Sequence, residues 1–427
     1  MSEIGVATSV ASSSSPRRHQ ADPFFHPISS KAEPSIARFH SGADAECIHI
    51  QGTYKVPLNS KNIVGVYSSR GSRPYQEDAA SLQGLQIPAQ ELRNTLQKQK
   101  TPWDPSRAGS PFLASQVAFF GIYDGHGGKY VSNYLRDHLH ALVESVTPDK
   151  IDSVVKWTID THGGYFKRWR GGGLQRWTRW SNAPRPNESS GMTLEERLTL
   201  AFLQADKEVL SDIDTAQRSG STASALLLHS LDEPGVPYWA AKKLNLMVGH
   251  CGDTRVLLCQ RSTGEVLAIT EKHHAEARGE AARLRRMGSN RLVSDSFGES
   301  RWMGAIENTR GFGDGEWKSS GITAEPEITT RILNGEDHSY LILVTDGVTS
   351  LMSDQEIVDL ARLARNPTQA AKAIVQFGED LGAEDNCTCI VVPLAGWGQV
   401  GGKDLTEERR EYRRKQAGEL STRMQRM

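Results

Sequence analysis

The chain lacks several features that would assign it to a class at once. Its apolar runs are all too short to span a bilayer, so we expect no transmembrane segment. It has five cysteines in 427 residues, an odd and small number that favours buried thiols in a reducing compartment over a disulfide framework. The net charge of −1 argues against a protein that binds nucleic acid or anionic membranes over its whole surface. We therefore expect a soluble, intracellular globular protein.

The two ends of the chain differ in composition from the part between them. Residues 1–55 are rich in Ser, Ala and Pro without a sustained apolar period, which predicts a disordered arm. The Ser and Arg content of this arm is weakly similar to that of an organelle transit peptide, so a mitochondrial location is an alternative to cytoplasm or nucleus. Residues 60–395 carry the strand and helix patterns of a domain. Residues 396–427 form a charged, helix-forming tail that we expect to be solvated.

Three segments of the domain break its pattern. Residues 84–115 contain four prolines and are predicted to be an irregular insertion. Residues 158–191 form a second insertion, in which basic residues alternate with tryptophans. Such a pattern can bind nucleic acid, an anionic membrane or an acidic partner, but a surface loop with its tryptophans packed onto the domain is the favoured interpretation. Residues 289–307 are predicted to be irregular, as a mobile flap.

The most informative stretch is residues 117–128, in which an apolar run ends at an acid followed by glycines. Its first seven residues have the length and composition of a buried strand. The strand leads into Asp124 and His126, and a helical pattern begins near Tyr130. An acid and an imidazole at a glycine turn are well placed to hold a metal ion and to transfer a proton. The alternative is a strand-to-helix turn in which Asp124 only caps the helix.

Carboxylates recur at the ends or turns of other apolar strands. Together with Asp124 they are Glu77, Asp78, Asp253, Asp346 and Asp385. Such oxygen ligands suit Mg²⁺ or Mn²⁺, and no set of His and Cys suggests zinc. Several carboxylates in one place would repel one another unless cations neutralised them, so a centre of two ions is the hypothesis. Spacing alone does not show that they converge, and a solvated salt-bridge cluster is the alternative for the acids near Arg73.

The order of elements favours an α+β fold. Strands occur in clusters that alternate with pairs of helices rather than in strict βαβ order, which argues for layers rather than a doubly wound sheet. Ser353 and Glu356 have the spacing of a capping box at the start of a helix over 353–365. A second helix is predicted over 367–381, followed by a strand over 387–392.

Seven motifs stand in order along residues 60–395. They are Arg73 with Glu77-Asp78, then residues 120–128, 219–223, 252–255, 310–314, 345–347 and 385–386. Together they resemble the motifs of the PP2C (PPM) family of metal-dependent protein serine/threonine phosphatases, and some fungal mitochondrial members look similar. The resemblance implies an α-β-β-α sandwich of two antiparallel sheets flanked by helix pairs. It also implies hydrolysis of phosphoserine and phosphothreonine in proteins by water activated at a binuclear Mg²⁺ or Mn²⁺ centre.

For the metal centre, the resemblance implies one bridging carboxylate with further ligands on either side. Asp124 would bridge both ions. The Gly125 carbonyl and Glu77 would help to hold one ion, while Asp346 and Asp385 would hold the other.

The remaining roles concern water, substrate and a third ion. Asp78 would orient metal-bound water, Arg73 would grip the phosphate, and His126 would act as general acid. Asp253 matches a position that in some members helps to bind a weaker third ion. Ser350 stands where members often carry an acid, so the third ion is less strongly implied.

Two functional hypotheses remain at this point. The first is a phosphatase acting on phosphoproteins, which we expect to be a monomer that does not bind nucleic acid. The second is a catalytically weak or inactive member that regulates or binds a partner through the insertion 158–191. The second hypothesis needs missing core ligands, and none is missing from the sequence.

Overall fold

Two antiparallel β-sheets lie at the centre of the structure, which is a computed structural model. It describes residues 24–28, 52–56, 58, 60, 62–162, 174–177, 186, 191–212, 214–286, 292–294, 300–304 and 306–424. Among the helices in these ranges, none has both the length and the apolar character that crossing a membrane requires.

The strands are, in chain order, β1 (Phe24–Ile28), β2 (Gly52–Val56), β3 (Gly65–Ser69), β4 (Ala79–Gln86), β5 (Gln116–His126), β6 (Gly220–Ser230), β7 (Lys243–Cys251), β8 (Arg255–Gln260), β9 (Val266–Ala268), β10 (Leu292–Ser294), β11 (Ser300–Trp302), β12 (Phe312–Gly313), β13 (Glu327–Asn334), β14 (His338–Val344) and β15 (Cys387–Pro393). The α-helices are α1 (Ala89–Lys98), α2 (Pro111–Ser115), α3 (Tyr130–Ser145), α4 (Ile151–His162), α5 (Leu194–Asp212), α6 (Arg278–Arg285), α7 (Gly315–Lys318), α8 (Asp346–Thr349), α9 (Asp354–Ala361), α10 (Pro367–Asp380) and α11 (Glu407–Met424).

The first large sheet has the strand order β13-β7-β6-β5-β4, with the short strand β12 paired to β6. The second has the order β3-β15-β14-β8-β9. Every pairing within both sheets is antiparallel. Two separate two-stranded antiparallel sheets, β1 with β2 and β10 with β11, complete the described strand pairing.

The hydrophobic core lies in three layers. One apolar cluster fills the space between the two sheets, with Phe120 from the first and Leu343 from the second. Helices α3 and α5 pack on the outer face of the first sheet, and α9 and α10 on that of the second. Phe119 and Phe120 are both fully buried yet lie in different layers, because successive strand residues face opposite sides. The predicted α-β-β-α sandwich is confirmed, and burial on both faces explains the uninterrupted apolar run in β5.

The prediction of an irregular segment over 84–115 is wrong. Strand β4 runs on to Gln86, and helices α1 and α2 follow. Leu92 and Leu96 of α1 are buried in the core between the first sheet and the helices that cover it. Pro105 and Pro111 stand in the first turns of a 3₁₀ turn and of α2. The prolines begin helical segments there, since the first turn needs no N–H from them.

Three other predictions are corrected in part. Strands β1 and β2 pair within the arm that was predicted to be disordered. Strands β10 and β11 pair within the predicted flap, and the rest of that segment that is not described cannot be compared. In the insertion 158–191, helix α4 continues to His162 and Trp177 is buried, as the favoured interpretation expects for that tryptophan. Trp169 and Trp180 lie outside the described residues.

The C-terminal tail forms the predicted helix, α11, but it is not simply solvated. Arg413 donates one hydrogen bond to Glu356 Oε1 at 3.0 Å and another to the Leu351 carbonyl oxygen at 2.6 Å. Glu356 is buried at the start of α9 and also belongs to the capping box with Ser353, which the structure confirms. A buried carboxylate needs a cationic partner, and the tail supplies it.

Candidate active site

The predicted site residues lie at the ends of strands, on the side of the molecule where strand ends of the two sheets come together. Because neighbouring strands are antiparallel, the start of one strand lies beside the end of the next. Asp78 precedes β4 and Asp124 lies near the end of β5, whereas Thr345 and Asp346 follow β14. The Thr345 hydroxyl donates to Asp78 Oδ2 at 2.9 Å, and the Asp346 N–H donates to Asp124 Oδ2 at 3.3 Å. These hydrogen bonds connect the two sheets.

Three of the predicted carboxylates form a tight group. One oxygen from each of Asp124, Asp253 and Asp346 lies within 4.8 Å of the others. Burial raises the pKa of Asp124 well above its usual value, and the charges of Asp346 and Asp78 add to the effect. Burial likewise raises the pKa of Asp346 to about 6 and that of Asp78 to about 7. The charged forms are therefore costly here without a neutralising cation.

The residues present fit a hard divalent cation. Asp78 Oδ1 and Asp253 Oδ1 are buried and have no hydrogen-bond partner within the described ranges. Buried carboxylate oxygens are normally satisfied, and a bound cation is one ordinary partner for those without a hydrogen bond. The donors of the group are all oxygens, which Mg²⁺ and Mn²⁺ prefer.

Glu77 is held beside the same group. Its Oε1 accepts a hydrogen bond from the Gly128 N–H at 2.6 Å, and its own N–H donates to Asn386 Oδ1 at 2.7 Å. A Cβ at Gly125 would lie 2.4 Å from the Glu77 carbonyl oxygen, so only glycine allows β5 to approach this closely. The structure thus brings Glu77 and Gly125 together.

Arg73 and Asp385 form an ion pair at the exposed side of the site. Arg73 Nη2 lies 2.7 Å from Asp385 Oδ2, and both side chains are accessible to solvent. Asp385 is not part of the tight carboxylate group, but its charge contributes to the raised pKa of Asp346 after the larger effect of burial. Asn386 fixes the loop that carries Arg73, because its amide nitrogen donates to the Arg70 and Tyr75 carbonyl oxygens.

The partner of His126 was not predicted from the sequence. Its Nε2 lies 3.0 Å from both carboxylate oxygens of Asp314. Burial lowers the pKa of His126, but Asp314 outweighs that effect and the pKa is raised overall. Asp314 stands in the motif 310–314, which was the only signal in the sequence that could have pointed to it.

A buried ion pair fixes the loop that presents Asp314. Lys318 Nζ lies 2.7 Å from Asp206 Oδ2 and donates to the Gly311 carbonyl oxygen at 2.9 Å. The other oxygen of Asp206 accepts from the Gly313 N–H at 2.9 Å. The pair therefore holds the backbone on both sides of Phe312, directly before Asp314.

Asp253 lies at the turn between β7 and β8 and is buried. Burial would raise its pKa, but the neighbouring side chains of His274 and Asn308 hold the pKa below its usual value. Ser350 offers no further negative charge, and its hydroxyl donates to the Gly347 carbonyl oxygen at 3.2 Å.

The family model and two relatives that match this sequence are all described as protein phosphatases. Residues 165–387 match the family model described as Protein phosphatase 2C. Protein phosphatase 2C homolog 4 of Schizosaccharomyces pombe is 31% identical over 362 residues, which cover 83% of this chain and 86% of that protein. Protein phosphatase 1K, mitochondrial, of Xenopus laevis is 26% identical over 350 residues, which cover 80% of this chain and 79% of that protein.

Two solved structures share the fold. A phosphatase from a pathogenic strain of Toxoplasma gondii gives a TM-score of 0.51 at 16% identity, covering 79% of this chain and 94% of that one. A sex-determining protein of C. elegans gives a TM-score of 0.50 at 19% identity, covering 80% of this chain and 66% of that one. At these identities the likeness concerns the fold alone.

Proposed function

The chain belongs to the protein phosphatase 2C family, and from this we propose that it hydrolyses phosphoserine and phosphothreonine in proteins with the help of divalent cations. The observation that carries the proposal is the group formed by Asp124, Asp253 and Asp346, where strand ends of the two sheets come together. The unpartnered oxygen of Asp78 beside this group adds support.

We assign the cations to the carboxylates and the one carbonyl that the sequence motifs indicate. Glu77, Asp78, Asp124, the Gly125 carbonyl, Asp346 and Asp385 would hold two Mg²⁺ or Mn²⁺ ions, with Asp253 at the edge of the set. Bound ions of this kind supply positive charge that lowers the pKa of water and offsets charge on a phosphoryl group.

The side chains around the carboxylates would complete the chemistry. Arg73 is exposed enough for its guanidinium to bind phosphate oxygens in a fork. Asp78 uses Oδ2 for the Thr345 hydroxyl, which leaves Oδ1 to orient an attacking water. His126, oriented by Asp314, would donate a proton to the serine or threonine oxygen as it leaves. Water attacks phosphorus directly in this scheme, so no covalent enzyme intermediate forms.

Residues 60–395 are the proposed extent of the catalytic domain, and we propose that it acts as a monomer. The rival hypothesis, an inactive member that binds partners through residues 158–191, requires missing core ligands. A mitochondrial location is proposed as the alternative to cytoplasm or nucleus, since a relative from Xenopus laevis is named mitochondrial. Microscopy of the full chain with a C-terminal fluorescent tag would decide the compartment.

The deciding experiment measures phosphate release from a phosphothreonine peptide by the purified full chain with Mn²⁺, Mg²⁺ or EDTA. We expect release with either metal, none in EDTA, and loss of release in Asp124→Asn. Asp160→Asn is the matched control, because Asp160 is an exposed acid on α4. Release in EDTA, or full release by folded Asp124→Asn and Asp346→Asn, would refute the proposal. A folded wild-type chain that releases nothing would favour the rival hypothesis.

A further inference from the structure

Three backbone segments lie side by side next to the proposed catalytic group, which is the cluster of Asp124, Asp253 and Asp346. The His273 N–H donates to the Gly252 carbonyl oxygen at 2.8 Å, and the Thr309 N–H donates to the His273 carbonyl oxygen at 2.8 Å. An antiparallel bridge pairs His274 with Asn308. The backbone thereby brings the turn after β7, the segment 273–274 and the segment 307–309 into fixed positions relative to one another.

The side chains of Asp253, His274 and Glu307 converge from these segments. His274 Nε2 lies 3.6 Å from Asp253 Oδ2 and 3.4 Å from Glu307 Oε1. One ligand atom from each of the three residues lies within 4.8 Å of the others. Two ligands about 2.1 Å from a shared ion are about 3.0 Å apart in octahedral geometry and about 3.4 Å apart in tetrahedral geometry. The observed separations are close to those of ligands to a single ion.

Two atoms of this cluster, one on Asp253 and one on His274, are buried without a hydrogen-bond partner among the described residues. The Asp253 side chain is 3% exposed, yet its Oδ1 has no partner there, and neither does His274 Nε2. The distances of 3.4 and 3.6 Å are longer than the ~2.7–3.2 Å of an N–H···O hydrogen bond. An imidazole nitrogen that faces two carboxylates at distances longer than a hydrogen bond is therefore a candidate metal ligand.

We propose that Asp253, His274 and Glu307 form a site for a divalent transition-metal cation. Imidazole with carboxylates suits Mn²⁺ and Zn²⁺, whereas Mg²⁺ favours sets made of oxygen alone. The His274 and Glu307 side chains are 29% and 40% exposed, which gives an ion a path from solvent to the buried Asp253. The site shares Asp253 with the catalytic group, so it goes beyond the proposed function by adding a nitrogen ligand and a different metal preference.

The competing explanation is an ion pair without metal. A protonated His274 between the two carboxylates would also account for the convergence of the three side chains. The two explanations differ in one measurable property, which is direct contact between the imidazole nitrogen and a bound ion.

The test uses the full chain without a histidine tag, titrated to saturation with Mn²⁺. Electron spin-echo envelope modulation of the bound Mn²⁺ reports a coordinated nitrogen. We expect the nitrogen signal in the wild type, its loss in His274→Gln, and its retention in His338→Gln. His338 is a matched control because it is the first residue of β14, about 20 Å along the strand from the C-terminal end that leads into Asp346. In Glu307→Gln we expect the Kd of this site for Mn²⁺ to rise at least about tenfold.

Each outcome decides the proposal. A wild type without a nitrogen signal would establish the ion pair without metal and overturn the site. A signal that persists in folded His274→Gln would overturn the assignment of the ligand. The readout does not require turnover, so an inactive chain with the nitrogen signal would refute the proposed function and keep the site. An active chain without the signal would do the reverse.

Discussion

The buried pair of Lys318 and Asp206 offers the sharpest test of how the loop before Asp314 is held. Their side chains are 0% and 1% exposed. Replacing Lys318 by Met keeps the unbranched apolar stem, one atom shorter, but leaves the Asp206 carboxylate without its cation. It also removes the donor to the Gly311 carbonyl oxygen.

The expected cost follows from the isolated charge. Breaking a buried ion pair on one side costs about 3–5 kcal/mol, and an orphaned carbonyl about 1–3 kcal/mol. The two effects share one ammonium group and do not add fully, so we expect Lys318→Met to lose about 3–5 kcal/mol of the free energy of unfolding. Burial already raises the pKa of Asp206 above its usual value although Lys318 opposes it. Loss of Lys318 should raise that pKa further, so the deficit should shrink as the pH falls and Asp206 becomes neutral.

Urea denaturation in EDTA, followed by tryptophan fluorescence, measures this deficit without a contribution from metal binding. Arg218→Met is the control, because Arg218 pairs with Glu316 on α7 but is 84% exposed, and we expect no measurable change. The double variant Asp206→Leu/Lys318→Met should recover part of the loss, since it removes the unpaired charge. A deficit below about 1 kcal/mol in Lys318→Met, or one equal to that of the control, would refute the reasoning.

Three further predictions concern the site. His126→Gln should slow the hydrolysis of alkyl phosphates more than that of aryl phosphates, because a poor leaving group depends more on a general acid; equal slowing of both in steady-state assays would remove that role. Arg73→Ala should mainly raise KM, by about tenfold or more, as expected for a group that binds the phosphate of the ground state; an unchanged KM would contradict this. Asp78 has a pKa of about 7 in the folded protein and near 4 in an unfolded chain, so between these values the folded state binds the extra proton. In EDTA, the wild type should therefore lose stability relative to Asp78→Asn as the pH rises from about 4 to 7, and urea midpoints that show the opposite trend would contradict the predicted environment of Asp78.

Local patterns in the sequence predicted much of the fold. The apolar run 117–123 lies in β5, and the spacing of Ser353 and Glu356 forms the predicted capping box. These predictions succeed because each depends on residues that are close in sequence. The prolines in 84–115 misled the prediction, since a proline that starts a helix and one that breaks a helix have the same local signature.

The candidate site could be predicted only as a set of residues. An acid at the end of an apolar strand is a local signal, but the sequence does not say that Asp124, Asp253 and Asp346 meet. The packing of the two sheets against each other brings these three residues together. The contact between His126 and Asp314 spans 188 residues, so it depends on the tertiary fold and has no local pattern.

The junction between Asp78 and Thr345 has a kinetic consequence. The two residues are 267 positions apart and lie in or next to strands of different sheets, as do Asp124 and Asp346. The carboxylate group is therefore complete only after the sheets have docked. A cation that binds this group would recognise the folded chain but neither the unfolded chain nor a transition state in which the sheets are still apart. Such a ligand leaves the folding rate unchanged and slows unfolding. Divalent cations would then lengthen the lifetime of the folded protein without helping it to form.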